Sequence, residues 1–362
     1  MTTTKPNPTD GENTPDTDQV EVPEITVVVC SYNGARRISA TLQALLRQQT
    51  TRTWELLVVD DGSTDNTATI ARDLGVRIVT EGRNLGLSAA RNLGIAAASA
   101  PVIAFTDDDV VPTPLWVESL AAAWDRAEPQ TLGIGGTTEA LDVDSFARRY
   151  VATNNPLTPL EHARGGIVAR LLRYLLQPDP PRGRRTVDSL VGANMSFRTS
   201  TLRELGGFDP VIRFGGDEED LCRRIRETHG PESLIVEPQI RVLHDFDKSL
   251  RDTLRRARAY GRGNGRDWAR RGGIPAIRPM PVLLLAGCLT GLISPKVVPW
   301  VLLGLPAAIH RKTLRRGLRR HGTEALLYPY TALAQELYTT AGFVEEARAQ
   351  RKPPRNSAPL AQ

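Results

Sequence analysis

The sequence predicts an α/β fold with a mostly parallel sheet flanked by helices, and two observations carry this prediction. Short, continuously apolar runs recur along the first third of the chain, as expected of strands that are covered on both faces. Segments with apolar residues at helical spacing lie between these runs, and such alternation builds parallel sheets with right-handed crossovers. The 362 residues, of which 40% are hydrophobic, are enough for a sizeable core.

The predicted elements follow one another in a regular order. Strands are predicted at 25–30, 55–60, 76–80 and 102–105, and helices at 35–49, 64–74 and 87–99. The segment Asp61-Gly62-Ser63-Thr64 supplies turn and N-cap chemistry for the second helix. Because ligands of such sheets bind outside the carboxyl ends of the strands, the site is expected in the loops that follow them.

The alternation loosens from about 137 to 187 and then resumes. The patterns predict a helix at 165–176, a strand within 190–198, helices at 199–206 and 218–228, a strand at 233–238 and a basic amphipathic helix at 248–260. We therefore expect one α/β domain at 24–265. Residues 1–23 are rich in Thr, Pro and acids and are predicted to be a disordered acidic tail, with a second disordered tail at 351–362.

A basic, partly apolar helical region is predicted at 266–350. Within it, residues 282–309 contain one charged side chain, Lys296. Prolines and this lysine divide the segment into halves that are each shorter than the ~20 residues of a membrane span. A re-entrant or interfacial hairpin is one interpretation, and a buried helical pair is the other.

The charge of the chain is unevenly distributed. The net charge is +5, yet residues 241–320 contain 18 basic residues against four acidic ones. Such a stretch suits phosphate-rich partners or an anionic membrane surface. Nucleic acid is not an expected partner, because the basic stretch lacks interleaved aromatic residues and a recognised module.

The expected location is the cytoplasm, at the inner face of the cell membrane. Three dispersed cysteines, Cys30, Cys222 and Cys288, support neither a disulfide framework nor a cysteine zinc site. The first residues lack the basic start and apolar run of a secretory signal.

Three acidic clusters follow predicted strands or a glycine pair. They are Asp60 and Asp61, Asp107 to Asp109, and Asp217 to Asp220. Each alone is compatible with a solvated turn, but a parallel sheet gathers such loops at one edge, so we expect a common acidic pocket. Carboxylates that are packed together repel one another, and Mg²⁺ or Mn²⁺ relieves that repulsion.

The spacing of Asp107 and Asp109 suits a metal site, because residues two apart on an extended segment project to one side. One carboxylate can hold the metal while the other reaches a sugar hydroxyl or a metal-bound water. No G-x-G-x-x-G follows the first strand and no GxxxxGK[ST] is present, so a dinucleotide-binding Rossmann domain and a P-loop NTPase are disfavoured. A nucleotidyltransferase is disfavoured as well, since residues 30–37 lack a Gly-rich basic signature.

Four segments, in order and spacing, resemble the bacterial, inverting family 2 glycosyltransferases with the GT-A fold. They are VVVCSYNGARRISATLQALL, ELLVVDDGSTDNT, NLGLSAARNLGIAAASAPVIAFTDDDVVPTPLW and VGANMSFRTSTLRELGGFDP with the later GDEEDLCRR. The resemblance covers about residues 24 to 260. It implies a nucleotide diphosphate sugar as donor, with UDP as the first expectation, Mn²⁺ or Mg²⁺ as cofactor, and inversion at the anomeric carbon.

The resemblance also assigns roles by motif position. Tyr32 and Asp61 look like nucleobase contacts, although an aromatic such as Tyr32 can simply be packed or exposed. Asp107 looks like the donor-sugar aspartate and Asp109 like the metal aspartate.

Three further residues are candidates on the same ground. His244 can complete the metal or diphosphate site, or be a surface histidine beside Asp245 and Asp247. Asn194 looks like a pocket residue near the donor or acceptor. Arg91 is a candidate phosphate contact, and a helix-surface arginine is the alternative.

The third acidic cluster departs from the usual Glu-Asp-x-Asp-Leu form of the family. Aligned on Asp220 and Leu221, Glu218 stands where the family has its catalytic aspartate. Glu218 also precedes Leu221 by three residues, so it extends the inward face of the predicted helix. We expect Glu218 to be the catalytic base, with Asp220 second and Asp217 after it. Asp220 can instead form a surface pair with Arg224.

The sequence thus predicts metal-dependent, inverting transfer of a hexose-type sugar to an acceptor hydroxyl in envelope polysaccharide or glycolipid synthesis. The expected acceptor is lipid-linked or a saccharide, with contact to a membrane surface. Decoration of a soluble small molecule and non-catalytic nucleotide-sugar binding are the alternatives. The oligomeric state is not predicted.

Overall fold

The computed structural model describes residues 22–159, 167–176, 183–213, 215–272, 278–290 and 294–351. Of the predicted tails, 1–21 and 352–362 lie outside the described residues. So do the first two residues of the helix predicted at 165–176, which begins at Ile167 where the description resumes.

The first part of the chain forms a parallel sheet with helical connections. Its elements are β1 (Ile25–Ser31), α1 (Ile38–Leu46), β2 (Trp54–Asp60), α2 (Thr67–Asp73), β3 (Arg77–Val79), α3 (Leu87–Ala97) and β4 (Val102–Asp107). β1 pairs in parallel with β2 and β4, and β2 pairs in parallel with β3. The predicted alternation of strands and helices is confirmed here.

The middle of the chain completes the sheet in a less regular order. Its elements are β5 (Val110–Pro112), α4 (Trp116–Asp125), β6 (Gly133–Ala140), α5 (Phe146–Thr153), α6 (Ile167–Leu176), β7 (Arg185–Thr186), β8 (Met195–Arg198), α7 (Thr199–Glu204), α8 (Asp217–His229) and β9 (Leu234–His244). The strand order is β3-β2-β1-β4-β8-β6-β9-β5, with β7 beside β9.

The predicted α/β class is confirmed, but the parallel arrangement is confined to part of the sheet. β8 runs antiparallel to β4 and β6, and β5 and β7 run antiparallel to β9. β6 and β9 are parallel to each other. β8 lies within the strand predicted at 190–198, and β9 begins in the one predicted at 233–238. Strands as short as β5 and β7 leave no periodic pattern in the sequence, so the sequence predicts neither of them.

The sheet has a hydrophobic core on each face. Val27 and Val29 of β1 point into a cluster with Trp116, whereas Val28 points into a second cluster with Phe105. All seven residues of β1 are buried, because successive side chains of a strand face opposite sides and both sides are covered. This is why the strand reads as a continuous apolar run.

The C-terminal part is helical. Its elements are α9 (Leu250–Arg271), α10 (Pro279–Leu289), a 3₁₀ turn at Pro295–Val297, α11 (Val298–Ile309), α12 (Arg311–His321), a 3₁₀ segment at Gly322–Leu327 and α13 (Tyr328–Arg351). The predicted division of 282–309 into two halves is confirmed by α10 and α11. Among the described residues, no helix is both long enough and apolar enough to cross a bilayer.

Helix α9 lies along α13 at close range. A Cβ atom at Gly261 would overlap the carbonyl of Thr339, and one at Gly265 would lie 2.6 Å from the carbonyl oxygen of Phe343. Only glycine permits this approach. α9 therefore runs past residue 265, where the predicted domain boundary falls, and joins the α/β part to the last helix.

Candidate active site

The carboxyl ends of β1, β2 and β4 lie side by side. In the register of the sheet, Ser31 is opposite Asp60 and Cys30 is opposite Asp107. The residues that follow these strands line a cleft of about 680 Å³, which we call the first cleft. It contains four carboxylates from the first two acidic clusters, namely Asp61, Asp107, Asp108 and Asp109.

Asp61 holds the loop that leads into α3. Its carboxylate is buried and accepts hydrogen bonds from the backbone N–H groups of Leu85, at 2.7 Å, and Gly86, at 2.9 Å. Each oxygen keeps a second lone pair for a ligand. Tyr32, a residue that is 50% exposed, lies in the same cleft. The two residues predicted to contact a nucleobase are therefore on one wall, and Asp61 also has a structural role.

Asp107, Asp109 and His244 converge at one end of the first cleft. Each offers a ligand atom, and these atoms all lie within 4.8 Å of one another. Nε2 of His244 is 3.3 Å from Oδ1 of Asp109. β5 creates this proximity, because Val110 pairs with His244 and the carbonyl of Asp109 accepts a hydrogen bond from Asp245 N–H at 2.8 Å.

The electrostatics of this group favour a bound cation. Burial raises the pKa of Asp109 and lowers the pKa of His244 to about 4. The imidazole is therefore neutral at physiological pH and has a lone pair to offer. Its Nδ1 is buried without a hydrogen-bond partner among the described residues, while the ring stacks on Phe246 at 4.5 Å. Two carboxylates and one imidazole make a donor set that suits Mn²⁺.

Arg37 is a cation at the same site that sequence reasoning missed. Its Nη1 donates to Oδ2 of Asp109 at 3.2 Å, and its Nη2 is 3.8 Å from Oδ1 of Asp108. The side chain is 40% exposed, so it faces the cleft. No local pattern in the sequence predicts this contact, because Arg37 and Asp109 are 72 residues apart.

Asp108 points away from this group, as predicted for the middle residue of the three. It accepts a hydrogen bond from the Ser31 hydroxyl, and burial raises its pKa to about 6. A Cβ atom at Gly34 would overlap its carboxylate. Asp108 therefore fastens the loop after β4 to the loop after β1.

Arg91 is buried and forms ion pairs with two of the three clusters. Its side chain is 3% exposed, and its guanidinium pairs with Asp217 and lies 3.5 Å from Oδ1 of Asp107. The group also lies over the ring of Phe208, 5.3 Å from the ring centre. Its charge is thus directed at carboxylates of the protein, which differs from both the predicted phosphate contact and the surface alternative.

Asn194 lies in a different place from the one predicted. Its amide donates to the carbonyls of Thr137 and Ile240, both at 3.0 Å, and its Oδ1 accepts from Trp116 Nε1 at 2.9 Å. It sits inside the sheet, where the β6–β9 register shifts after Gly135. It lines neither the first cleft nor the second one described below.

Two carboxylates of the third cluster are held by arginines. Asp217 is 1% exposed and pairs with Arg91. Asp220 accepts from Arg223 at 2.6 Å and from Arg224 at 2.8 Å, so it forms the arginine pair that the sequence allowed. Its two oxygens are occupied by these pairs.

Glu218 lines a second cleft, of about 550 Å³, and so does Glu219. Arg256 and Asp247 line both clefts, so the two meet at this point. Burial and the neighbouring Asp217 carboxylate raise the pKa of Glu218 well above its ordinary value. A carboxylate whose pKa approaches the working pH is suited to general-base catalysis.

The chain matches one protein family by sequence. Residues 26–167, which include β1 to β4 and the Asp107–Asp109 cluster, match the family model described as Glycosyl transferase family 2. The match supports a family 2 glycosyltransferase.

Curated relatives carry glycosyltransferase names. The chain is 28% identical over 245 residues to the Pre-mycofactocin glycosyltransferase of Mycobacterium tuberculosis (strain ATCC 25618 / H37Rv), covering 66% of this chain and 46% of that protein. It is 29% identical over 237 residues to the Glucosyl-dolichyl phosphate glucuronosyltransferase of Haloferax volcanii, covering 61% and 69%. The chain thus spans about half the length of the first of these relatives.

A solved structure shares the fold. The mannosyltransferase of Pyrobaculum calidifontis, determined in complex with GDP-Man and Mn²⁺, superposes with a TM-score of 0.52 at 21% identity. The match covers 90% of this chain and 88% of the other. It confirms the predicted GT-A-like fold over most of the chain.

Proposed function

We propose that this chain transfers a sugar from a nucleotide diphosphate sugar to an acceptor hydroxyl, with inversion at the anomeric carbon. The observation that carries the proposal is the convergence of Asp107, Asp109 and His244 at the end of the first cleft. The family match and the glycosyltransferase names of the relatives support it.

Asp109 and His244 would hold a divalent cation, with Asp107 approaching from the rim. The donor set of two carboxylates and a neutral imidazole fits Mn²⁺, which accepts nitrogen ligands more readily than Mg²⁺. When bound, the cation stabilises negative charge on the leaving diphosphate. The Pyrobaculum structure, which holds GDP-Man and Mn²⁺, supports this cofactor.

The remaining wall of the first cleft suits the nucleotide. The exposed ring of Tyr32 offers a stacking surface for a base, and the open lone pairs of Asp61 can accept its N–H groups. Arg37 lies beside the metal-binding carboxylates and contributes positive charge for the diphosphate. UDP is the first donor nucleotide to test.

Glu218 takes the proton of the acceptor hydroxyl. It lies in the second cleft, which adjoins the first, so acceptor and donor meet between them. Attack from the side opposite the leaving diphosphate inverts the configuration in one step. One carboxylate base then suffices, and no covalent intermediate forms.

We also propose that the C-terminal helices contact an anionic membrane surface. α6, α10 and α11 pack around Met280 and Leu284, yet they leave large apolar side chains exposed. Trp300 is 78% exposed, Leu285 63% and Leu303 62%. The adjoining α12 carries six basic residues within Arg311–His321, which complement anionic lipid. The protein would then act at the inner face of the cell membrane, in envelope polysaccharide or glycolipid synthesis.

A donor panel tests the transferase. Wild-type protein with Mn²⁺ and a set of UDP- and GDP-sugars is expected to release nucleoside diphosphate. Asp109→Asn should lower turnover about a thousandfold, because charge stabilisation of several kcal/mol is lost. It should also weaken Mn²⁺ binding measured by electron paramagnetic resonance. Asp73→Asn, at an exposed position of α2, is the control.

The outcomes separate the alternatives. Unchanged turnover and Mn²⁺ binding in Asp109→Asn would refute the site. Nucleotide-sugar binding without release of nucleoside diphosphate, across the whole panel, would leave a non-catalytic binding protein.

Vesicle sedimentation tests the membrane contact. The protein is expected to pellet with vesicles that contain phosphatidylglycerol and to stay in solution with phosphatidylcholine alone. The double variant Trp300→Ser, Leu303→Ser should lose binding, whereas Leu115→Ser, which changes a leucine 53% exposed on the α/β part, should keep it. Equal pelleting of wild type and double variant would show that Trp300 and Leu303 do not make the contact. Failure of the wild type to pellet with phosphatidylglycerol vesicles would favour a soluble acceptor.

A further inference from the structure

The residues that follow β9 connect His244 to the loop that carries Asp109. The N–H of Asp245 donates to the carbonyl of Asp109 at 2.8 Å, and the N–H of Phe246 donates to the carbonyl of His244 at 3.0 Å. These two bonds fasten residues 244–246 to one another and to Asp109. The position of His244 relative to Asp109 therefore depends on what holds residues 245 and 246.

Phe246 fixes the plane of the His244 ring. The two rings are stacked, with their centres 4.5 Å apart and an angle of 20° between their planes. A histidine that binds a metal usually donates its other ring N–H to a carboxylate or a carbonyl, and this bond sets the orientation of the ring. Nδ1 of His244 has no such partner among the described residues. The orientation of this imidazole therefore depends on its packing against Phe246.

Phe246 is held in turn by the core that joins α5 to α13. It is 6% exposed and belongs to a hydrophobic cluster with Tyr150 of α5 and Tyr328 of α13. The rings of these two tyrosines pack edge to face, with their centres 5.5 Å apart. A buried ring with such neighbours has little freedom to turn, so it offers the histidine a fixed surface.

Arg148 of α5 binds the backbone and a side chain of the same segment. Its Nε donates to the carbonyl of Phe246 at 2.9 Å, and its Nη2 donates to the carboxylate of Asp245. Its Nη1 donates to Asp142 at 3.2 Å and to Asp144 at 3.1 Å. The side chain is 3% exposed. Because a guanidinium presents its donors in one rigid plane, Arg148 holds these groups in a fixed arrangement.

We propose that Phe246 and Arg148 are positioning residues for the divalent cation, which they influence through its ligands. Phe246 orients the imidazole of His244, and Arg148 keeps residues 245 and 246 where they connect His244 to Asp109. This inference rests on the proposed function, because it takes Asp109 and His244 as the metal ligands. Replacement of residues that orient metal ligands typically lowers metal affinity by about ten- to a hundredfold.

Mn²⁺ titrations of the full chain, followed by electron paramagnetic resonance, test the role of Phe246. Phe246→Leu keeps an apolar side chain but lacks a flat ring, so Mn²⁺ should bind about tenfold more weakly. The nitrogen coupling of bound Mn²⁺ in pulsed spectra, which reports imidazole coordination, should decrease as well. Phe246→Tyr keeps the ring and should retain most of the wild-type affinity.

Phe146 provides the matched control for this substitution. It packs against the same cluster, where its ring lies edge to face with Tyr328 at 5.7 Å between centres. Phe146→Leu therefore removes an aromatic ring from the same core without removing the ring stacked on His244. The affinity for Mn²⁺ should stay at the wild-type value in this variant.

The sign of the change in Mn²⁺ affinity tests Arg148. Arg148→Gln removes a positive charge near a cation site, so electrostatics alone would strengthen Mn²⁺ binding, whereas loss of positioning should weaken it about tenfold. Arg148→Lys keeps the charge but lacks the planar set of donors, so it should also bind Mn²⁺ more weakly. Arg149→Lys is the control, because Arg149 lies on the same helix and pairs with Glu324 at 2.9 and 2.6 Å.

The outcomes separate this inference from the proposed function. Circular dichroism melts establish which variants are folded, and Arg148→Lys replaces Arg148→Gln if the larger change unfolds the protein. Wild-type Mn²⁺ affinity in Phe246→Leu and Arg148→Lys, or tighter binding in Arg148→Gln, would overturn the inference and leave the proposed function. Equal weakening in the two control variants would overturn it too, because the effect would then be a general one on the fold. A wild-type protein that binds no Mn²⁺ would overturn the metal site itself.

Discussion

The two larger acidic clusters of this protein look alike in the sequence and differ in the structure. The strand-end cluster, Asp107 to Asp109, has two carboxylates beside a neutral histidine at an open cleft. The helix-start cluster, Asp217 to Asp220, has two carboxylates that are paired with buried or half-buried arginines. Arg37 at 3.2 Å from Asp109 and Arg91 at 3.5 Å from Asp107 also approach the strand-end cluster. Asp107 and Asp109 nevertheless line the first cleft, whereas Asp217 and Asp220 line neither cleft. We therefore expect the strand-end aspartates to be available for chemistry, and Asp217 and Asp220 to stabilise the fold.

Glu218 is the residue of the helix-start cluster that we propose as the catalytic base. Glu218→Gln is expected to lower transfer about 10²- to 10⁴-fold, the usual contribution of a general base. Mn²⁺ and nucleotide binding should stay at the wild-type level, as measured by calorimetry. Retained turnover in Glu218→Gln together with loss in Asp220→Asn would reassign the base and break the comparison.

The raised pKa of Glu218 has two further consequences. The base is active when ionised, so wild-type turnover should rise with pH through a midpoint above the ordinary glutamate value of about 4.3. A carboxyl whose pKa is higher in the folded than in the unfolded state destabilises the fold above its unfolded pKa. Glu218→Gln should therefore melt at a higher temperature than wild type at neutral pH. A lower melting temperature would contradict this.

Arg91 connects the two clusters and should matter for stability. Arg91→Met leaves Asp217 buried without its cation, so the free energy of unfolding should fall by about 3–5 kcal/mol. Urea unfolding measures the change, with the exposed Arg72→Met on α2 as control, within about 0.5 kcal/mol of wild type. Adding Asp217→Asn to Arg91→Met should restore part of the loss. A stable Arg91→Met protein would show that the pair is dispensable.

Of the substitutions at Glu218, Arg91 and Asp220, we expect the one at Asp220 to have the smallest effect on turnover and stability. Its pairs with Arg223 and Arg224 are partly exposed, so Asp220→Asn should cost about 1 kcal/mol of unfolding free energy and leave turnover near wild type. Glu227→Gln, which removes the other partner of Arg223 at an exposed position, is the matched control and should cost less. A large loss of turnover in Asp220→Asn with unchanged stability would give Asp220 a chemical role.

The sequence predicts those parts of the fold that depend on local residue patterns. β1, β2 and β4 are continuous apolar runs, and the aspartates at their ends were expected at one edge of the sheet, where the first cleft lies. The pairing of Asp220 with Arg224, four residues on, follows from helix geometry alone. These features are governed by neighbours within a few residues.

The rest depends on contacts between distant parts of the chain. Arg91 and Asp217 are 126 residues apart, and no local pattern distinguishes this arginine from one on a helix surface. The family motif predicts that Asn194 is a pocket residue, yet its amide bridges the carbonyls of Thr137 and Ile240 on an irregular strand pair. Helix α9 extends past the predicted end at 260, since the glycines that lower its propensity allow contact with α13.

The close approach of the α9 and α13 backbones has a consequence for how acceptor specificity could differ between related proteins. The residues proposed to bind the metal and the nucleotide belong to β1, β2, β4, β9 and their loops, whereas α12 and α13 supply one side of the second cleft. The close packing of α9 against α13 therefore holds the C-terminal side of the second cleft in place beside the proposed donor site. Exchange of the segment after α9 between related chains would then alter which molecule receives the sugar while leaving the donor unchanged.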